Sequence, residues 1–234
     1  GLPLHEAVRR RDFTMNSMAF DPLTGEWFDP FGGREDLVKG LLRVTDPATF
    51  AEDPLRALRA AQFISRFELT PDPKTLQIIR EMVAAGLTRE LPGERLREEI
   101  AKMLLKGRRP SLGLGFMKEA GILDQFPELR ALVGCQQDPE WHPEGDVWVH
   151  TLMVVDAAAE MRSGDPIHDL TLMLAALCHD LGKPLTTAFA DGRWRSYDHE
   201  EAGKVPTRTF LDRLRGWPEG VSEAVVALVV HHLA

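Results

Sequence analysis

An aspartate and an arginine three residues apart carry the first signal for chemistry in this sequence. Asp53 and Arg56 belong to the run Glu52-Asp53-Pro54-Leu55-Arg56, where a capping aspartate and a proline predict a helix start. Residues three apart share one helix face. The carboxylate accepts from an exocyclic amine, and the guanidinium donates to a ring nitrogen or carbonyl. The pair therefore complements the base-pairing edge of cytosine or adenine, although capped helices also carry such pairs on ordinary surfaces.

Histidines and an aspartate in the second half of the chain form a second candidate group. Seven histidines lie there: His142, His150, His168, His179, His199, His231 and His232. A nearly all-apolar helix over residues 170–181 is predicted to end on His179 and Asp180, and a buried carboxylate needs a partner. A single histidine is usually structural. Imidazole and carboxylate groups from several helices, however, can hold a divalent ion that activates water against a phosphate ester, with Lys183 offsetting charge.

The segment before Glu52 is predicted to contain short elements, and it carries polar residues that could bind a nucleotide. Arg10 and Arg11 can neutralise a polyphosphate, and Asn16 can bind a sugar or phosphate oxygen. A hairpin is predicted over residues 20–29, a hinge or simple turn at 29–33, and a short strand over 41–44.

Helical periodicity dominates from Glu52 onward. Helices are predicted over residues 75–85, 94–105, 112–120 and 170–181, and one or two short ones over 123–133. Further helices are predicted to start at Asp146 and at Asp198. A last helix is predicted in the apolar run that ends at His231 and His232. Arg97 with Glu98 and Glu99 either supports the Asp53–Arg56 pair or forms ordinary surface pairs. Breaker-rich residues 136–146 predict a domain boundary.

Composition limits the choice of partners. The chain has 234 residues, 44% of them hydrophobic, and a net charge of −8. An acidic chain must hold RNA through local basic patches, here residues 9–11 and 106–109. Cys135 and Cys178 are predicted to be free thiols in a reducing compartment. No leader or spanning segment is apparent, which predicts a cytoplasmic protein with no membrane partner.

Four motifs in order resemble those of class II tRNA nucleotidyltransferases, the CCA-adding enzymes. They are Arg10-Arg11-Asp12-Phe13-Thr14-Met15-Asn16, Asp29-Pro30-Phe31-Gly32-Gly33 with Asp36-Leu37, Glu52-Asp53-Pro54-Leu55-Arg56, and Glu94-Arg95-Leu96-Arg97-Glu98-Glu99. The resemblance implies that Asp53 and Arg56 read the base of the incoming CTP or ATP. It implies that Arg10, Asp12 and Asn16 hold triphosphate and ribose, and it places Arg59 in the same site. The 29–33 loop would be flexible, and Arg97 with Glu98 would support the helix that carries Asp53.

The second half resembles an HD metal-dependent phosphohydrolase domain, which some bacterial CCA-adding enzymes carry at this position. The resemblance implies His179 and Asp180 as its catalytic residues. It implies a metal, Ni²⁺ or Mn²⁺, held by His150, His179, Asp180, His199 and His231. An aspartate usually closes this pattern, and none is evident before Ala234.

The expected fold is mainly α, with a small α+β remnant of the nucleotidyltransferase head. Predicted domains are the head (1–50), a helical neck and body (51–135) and an incomplete HD domain (146–234). Family members transfer nucleotides with Mg²⁺ on a paired-carboxylate D-x-D that would precede Arg9. Both chain ends look like cuts, so we expect a fragment of a tRNA-processing enzyme that does not transfer nucleotides by itself.

Two other functions stay open at this point. One is a stand-alone metal-dependent HD phosphodiesterase, and the other is a non-catalytic body that binds tRNA. Bacterial poly(A) polymerase shares the first motif, but Met18-Ala19 and the HD half argue against it. The motifs do not distinguish addition of CCA from addition of CC or A alone.

Overall fold

The computed structural model describes residues 3–233 and confirms a mainly helical chain with small two-stranded sheets. Residues 1, 2 and 234, the outermost positions of the predicted head and HD domains, lie outside the described residues. The first elements are α1 (Leu4–Arg9), β1 (Ala19–Phe20), β2 (Trp27–Phe28), α2 (Gly33–Val38), β3 (Leu41–Leu42) and α3 (Pro47–Phe50).

The predicted hairpin is present, since β1 and β2 pair antiparallel with Ala19 opposite Phe28. Strand β3 falls within the predicted 41–44 segment and pairs in parallel with β4 (Thr70–Pro71), which the sequence did not indicate. Phe13 is fully buried and bridges to Val44, so this small sheet region is tied to the core.

Five helices form the middle of the chain: α4 (Arg56–Phe67), α5 (Pro73–Ala84), α6 (Gly93–Lys106), α7 (Pro110–Glu119) and α8 (Pro127–Arg130). Helix α4 begins three residues after Asp53. The main chain first makes tight bonds, from Arg56 N to Asp53 O and from Ala57 N to Pro54 O, of the 3₁₀ kind. Asp53 still caps this turn, because its Oδ1 accepts from Leu55 N at 3.2 Å.

The last elements are α9 (Val147–Glu160), α10 (Pro166–Cys178), α11 (Lys183–Thr186), β5 (Thr187–Ala190), β6 (Arg193–Ser196), α12 (His199–Ala202), α13 (Lys204–Leu214) and α14 (Val221–Val230). Asp146 caps α9 through Val149 N, as its position predicts. The β5–β6 hairpin was not predicted. Its turn residues Asp191 and Gly192 both have positive φ, 52° and 79°, as in two-residue hairpin turns.

The core runs without interruption from Phe13 to Val229, and α10 lies within it. Helices α4 and α7 approach closely, because a Cβ at Gly113 would lie 2.1 Å from Ser65 Oγ. Both cysteines are free thiols, with Cys178 buried and Cys135 partly buried. The division at residues 135 and 146 stays a prediction. Within residues 3–233 no helix has both the length and the apolarity needed to cross a bilayer.

Candidate nucleotide-binding and metal sites

A polar cavity of about 340 Å³ lies where the N-terminal segment meets the start of α4. Its lining residues are Arg11, Asp12, Asn16, Asp53, Arg56, Arg59 and Phe63. Five of the six predicted nucleotide-binding residues are therefore brought together. Arg10 lies outside this lining, and its neighbour Arg11 takes that place. Three guanidinium groups and two carboxylates give the cavity charges of both signs, which suits a nucleotide with its phosphates and its polar base edge.

Asp12 is the hub that holds one wall of this cavity. Its Oδ1 accepts from Phe13 N and from Asn16 Nδ2, both at 2.9 Å. Its Oδ2 accepts from Arg59 Nε at 2.7 Å, and the aspartate is buried. Asp12 therefore fixes the directions of Asn16 and Arg59. These contacts give Asp12 a positioning role, and the direct role with triphosphate and ribose that the resemblance implies stays a prediction.

Arg95 on α6 holds the carboxylate of Asp53, at 3.1 Å from its Nη2 to Oδ1. The expectation that Arg97 supports the Asp53–Arg56 pair is corrected by the structure. Arg97 donates instead to the backbone carbonyls of Arg215 and Gly216, in the segment before α14. The supporting cation is two residues earlier because α6 presents Arg95, not Arg97, to the start of α4.

Arg56 is tied to the main chain around the cavity. It donates from Nη1 to Thr49 O at 2.9 Å and to Phe50 O at 3.4 Å, and from Nη2 to Arg10 O at 2.7 Å. A guanidinium has five N–H groups. These bonds orient the guanidinium and leave two of its N–H groups without a partner among the described residues. Arg56 and Asp53 both line the cavity.

The 29–33 loop is ordered by its own aspartate. Asp29 accepts from Gly33 N at 2.7 Å and from Arg34 N at 2.9 Å, which closes the start of α2. A Cβ at Gly33 would lie 2.1 Å from Thr14 O, so the small residue permits a close approach to this backbone. The proposed flexibility of this loop stays a prediction.

Four histidines surround Asp180 at the buried end of α10. His150 Nε2 and His179 Nε2 lie 3.9 and 3.1 Å from its Oδ2. His199 Nε2 and His232 Nε2 lie 3.4 and 4.0 Å from its Oδ1. The two oxygens thus belong to two groups, one with His150 and His179 and the other with His199 and His232, and each group could hold a metal ion.

Backbone carbonyls orient three of these imidazoles. Nδ1 lies 2.8 Å from Ala176 O in His179, 2.7 Å from Ser196 O in His199, and 2.7 Å from Val229 O in His232. Because Nδ1 faces a carbonyl oxygen, it carries the proton, and Nε2 keeps a lone pair that can bind a metal ion. Metal-binding histidines are usually oriented in this way.

Glu144 orients the fourth imidazole, and the sequence analysis did not single it out. Its Oε1 lies 2.7 Å from His150 Nδ1 and 2.9 Å from His142 Nδ1. Burial alone would raise the pKa of Glu144, but the hydrogen bonds from both histidines lower it to about 2. The signal lay in the breaker-rich 136–146 segment, where a carboxylate stands six residues before His150.

His231, predicted as a metal ligand, is exposed, and the adjacent His232 joins the group in its place. Helix α14 ends at Val230, and His231 has φ −111°, so helical spacing no longer fixes direction there. His168 pairs with Asp169 outside the group.

The polar atoms around Asp180 fit a divalent cation. His179 Nε2 and Asp180 Oδ2 are buried and lack a properly aligned hydrogen-bond partner within residues 3–233. Lys183 Nζ lies 2.9 Å from Asp180 Oδ2. Burial would raise the pKa of Asp180, yet His179, His199 and Lys183 hold it far below its usual range. A deprotonated carboxylate among imidazole nitrogens is a donor set of the mixed kind that divalent transition metals prefer.

Comparisons with known proteins point to two connected parts, a segment similar to a poly A polymerase head and an HD domain. Three family models match in order: "Poly A polymerase head domain" over residues 3–43, "Probable RNA and SrmB- binding site of polymerase A" over 68–132, and "HD domain" over 147–234. In this order the chain is similar to a poly A polymerase head, to an RNA-binding segment of such polymerases and to an HD domain.

Relatives and solved structures agree with these matches. A "Multifunctional CCA protein" of Stenotrophomonas maltophilia is 41% identical over 92% of this chain, which covers 52% of that protein. A "Multifunctional CCA protein" of Xanthomonas campestris is 40% identical over 98% of this chain, which covers 55% of that protein. The chain spans about half the length of these curated relatives.

Two solved structures are similar over nearly the whole chain. A tRNA-processing enzyme in an apo form is 28% identical with a TM-score of 0.64, over 99% of this chain and 58% of that one. A tRNA-processing enzyme with CTP is 27% identical with a TM-score of 0.59, and the match covers 95% of this chain and 53% of that one.

Proposed function

We propose that this chain is the nucleotide-selecting part of a cytoplasmic tRNA nucleotidyltransferase that adds C and A to tRNA 3′ ends from CTP and ATP. The observation that carries the proposal is the polar cavity that Asp53 and Arg56 line together. The structural relative with CTP supports a cytidine nucleotide as one occupant.

The cavity selects a nucleotide and does not transfer it. Both of its carboxylates are engaged, Asp12 with Arg59 and Asp53 with Arg95. An arginine thus positions each carboxylate, which keeps lone pairs for a ligand, and we assign the binding of Mg²⁺ for nucleotidyl transfer to other residues of the whole enzyme. In this proposal that step belongs to the head's D-x-D, and the residues described here supply recognition of the base.

Calorimetry with CTP on matched carboxylate variants tests this proposal. Asp53→Asn keeps the side-chain shape but replaces one acceptor oxygen by a donor, which should weaken CTP binding about tenfold. Glu52→Gln, on the adjacent exposed residue, is the control and should leave binding unchanged. Equal affinities for CTP in both variants would remove Asp53 from base recognition.

We propose further that the group around Asp180 is a divalent metal centre of an HD phosphohydrolase. Two buried atoms that lack a properly aligned hydrogen bond within residues 3–233, His179 Nε2 and Asp180 Oδ2, support this proposal. His150, His179, Asp180, His199 and His232 would hold Ni²⁺ or Mn²⁺, which when bound supplies an activated water. Lys183 beside Asp180 offsets the charge of a phosphate ester, and Glu144 keeps His150 oriented.

Metal analysis combined with a phosphodiesterase assay tests this second proposal. His179→Ala should lose both bound metal and hydrolysis of bis(p-nitrophenyl) phosphate. His168→Ala is the matched control, because this exposed imidazole lies outside the group and its loss should change neither. Hydrolysis that survives His179→Ala would place the activity elsewhere.

A further inference from the structure

Lys183 is a buried cation beside the carboxylate that the histidine group surrounds. It is the first residue of α11, and it is 8% exposed. Its Nζ lies 2.9 Å from Asp180 Oδ2, the oxygen that His150 and His179 also approach. An ammonium group therefore stands at the buried oxygen that a divalent cation would use. Because the two charges repel, the position of Nζ affects how well a cation binds there.

Gln137 holds this ammonium group from a distant part of the chain. Lys183 Nζ donates to Gln137 Oε1 at 2.7 Å, although 46 residues separate the two. Gln137 is also 8% exposed, so both partners of this hydrogen bond are buried. By contrast, Asp180 Oδ2 has no properly aligned hydrogen bond within residues 3–233, even though Nζ lies at ion-pair distance. The lysine therefore directs an N–H group to the amide and not to the carboxylate.

The amide of Gln137 has one orientation that satisfies both of its contacts. Its Nε2 donates to the carbonyl of Gly145 at 3.3 Å, and its Oε1 faces Lys183. A lysine ammonium has only donors, so an amide turned the other way would place N–H groups against N–H groups. The two contacts therefore agree on Oε1 as the acceptor for the lysine.

One segment positions both this lysine and the proposed ligand His150. Gln137 and Gly145 lie near the two ends of the 136–146 segment and are joined by their hydrogen bond. Glu144, the neighbour of Gly145, has its Oε1 2.7 Å from His150 Nδ1. The segment thus fixes the ammonium group and the imidazole at the same time.

We propose that Gln137 is a positioning residue that turns the Lys183 ammonium group away from Asp180 and keeps Oδ2 open to a divalent cation. Without the amide oxygen, the only acceptor left to this buried ammonium group among the described residues is Asp180. A buried charge needs a partner, so Nζ would close on Oδ2 and compete with the cation. This inference rests on the proposed phosphohydrolase function and adds the residue that controls access to its metal centre.

A double-mutant cycle on Ni²⁺ affinity, measured on the whole chain by competition with nitrilotriacetate, tests the inference. Gln137→Met keeps the length of the side chain and removes the acceptor, so Ni²⁺ binding should weaken about tenfold. Lys183→Met removes the competing charge, so Ni²⁺ binding should tighten about tenfold. In the double variant, Gln137→Met should have no further effect, because no ammonium group is left for it to release.

Gln136→Met is the matched control. Gln136 is exposed, and its amide bonds to the carbonyl of Gly134, so the Ni²⁺ affinity should not change. Equal weakening by Gln137→Met with and without Lys183 would show a purely structural role and overturn the inference, while the metal centre would stand. Weaker Ni²⁺ binding in Lys183→Met would also overturn it, even if Gln137→Met does not fold. An unmodified chain that binds neither Ni²⁺ nor Mn²⁺ would remove the metal centre and the inference with it.

Thermal melting gives a second readout that does not depend on hydrolysis. A bound ion raises the melting temperature more when it binds more tightly. The rise on adding Ni²⁺ should therefore be larger in Lys183→Met, and smaller in Gln137→Met, than in the unmodified chain. Equal rises in all three would contradict competition between the lysine and the ion.

Discussion

At the scale of single residues, neighbouring groups decide what a carboxylate does. Asp12 and Asp180 are both buried, yet their surroundings differ. Asp12 accepts three properly aligned hydrogen bonds, two on Oδ1 and one on Oδ2. Asp180 keeps a buried oxygen without such a bond among the described residues and is surrounded by imidazole nitrogens. The first arrangement positions other side chains, and the second fits a cation.

The two adjacent histidines after α14 give a sharp residue-scale prediction. His232 lies in the group around Asp180, whereas His231 points to solvent. His232→Ala should weaken metal binding at least about tenfold, as losses around metal sites usually do. Metal affinity measured by competition with a chelator checks this, and His231→Ala serves as the control. Equal losses in both variants would contradict the placement of His232.

Asp169 gives a prediction about acid stability. Burial would raise its pKa, but hydrogen bonds from Ser163, Gly164 and His168 lower it to about 2. Some carboxyl groups have a lower pKa in the folded chain than in the unfolded chain. Such a group stabilises the fold at every pH above its unfolded pKa. The contribution should be full above about pH 4 and disappear as the pH falls toward 2. Unfolding of Asp169→Asn measured across this range should show a shallower loss of stability than the unmodified chain. Parallel curves would contradict this.

At the scale of elements, α7 shows how one glycine sets a helix contact. A Cβ at Gly113 would meet Ser65 Oγ at 2.1 Å and Ala61 O at 2.4 Å, both on α4. Gly113→Ala should therefore cost about 2 kcal/mol in unfolding free energy, the usual cost of overpacking. Gly115→Ala on the same helix meets nothing within 4 Å and should stabilise by about 0.5 kcal/mol. Denaturant unfolding of both variants measures the difference, and a neutral Gly113→Ala would refute the close contact.

Periodicity and capping predicted most helices because these signals are local. The C-terminal part of the chain shows where they fail. The sequence contains Asp191-Gly192, a strong hairpin signal, but the flanking β5 and β6 residues do not alternate cleanly between apolar and polar. His231 and His232 could not be told apart because α14 ends just before them and its helical phase stops.

The candidate sites were predictable where motifs carry them and not where side chains arrive from distant elements. Asp53 and Arg56 were found from local spacing. Arg95, which holds Asp53 from 42 residues away, could not be chosen over Arg97 without the orientation of α6. Glu144 was missed because a carboxylate in a loop has no periodic pattern to mark it.

At the scale of the whole molecule, interactions across the core join the two halves. Arg162, after α9, donates to Leu104 O at 2.9 Å and to Gly107 O at 2.8 Å at the end of α6. Asp156 on α9 accepts from Ser111 N at 2.9 Å and so caps α7. The polar cavity at the start of α4 and the histidine group around Asp180 are thus held on one continuous helical body.

A basic patch on this body gives a prediction for tRNA. Lys106 is the last residue of α6, Arg108 and Arg109 follow it, and all three are exposed. If this patch contacts phosphates, tRNA binding should weaken steeply with salt. Replacing Arg108 and Arg109 by alanine should lower both the affinity and the slope of its salt dependence, measured by filter binding. An unchanged slope would place the RNA contact elsewhere.

The central claim is that an acid and a guanidinium at the start of α4 act as a template for a nucleobase. The most direct measurement is the affinity of this chain for all four ribonucleoside triphosphates under identical conditions. The account predicts that CTP and ATP bind more tightly than UTP and GTP. On the base-pairing edge, cytosine and adenine present an exocyclic amine beside an unprotonated ring nitrogen, which suits an acceptor beside a donor, whereas uracil and guanine present a carbonyl beside a ring N–H. Equal affinity for all four would show that only the phosphates are recognised, and would contradict the account.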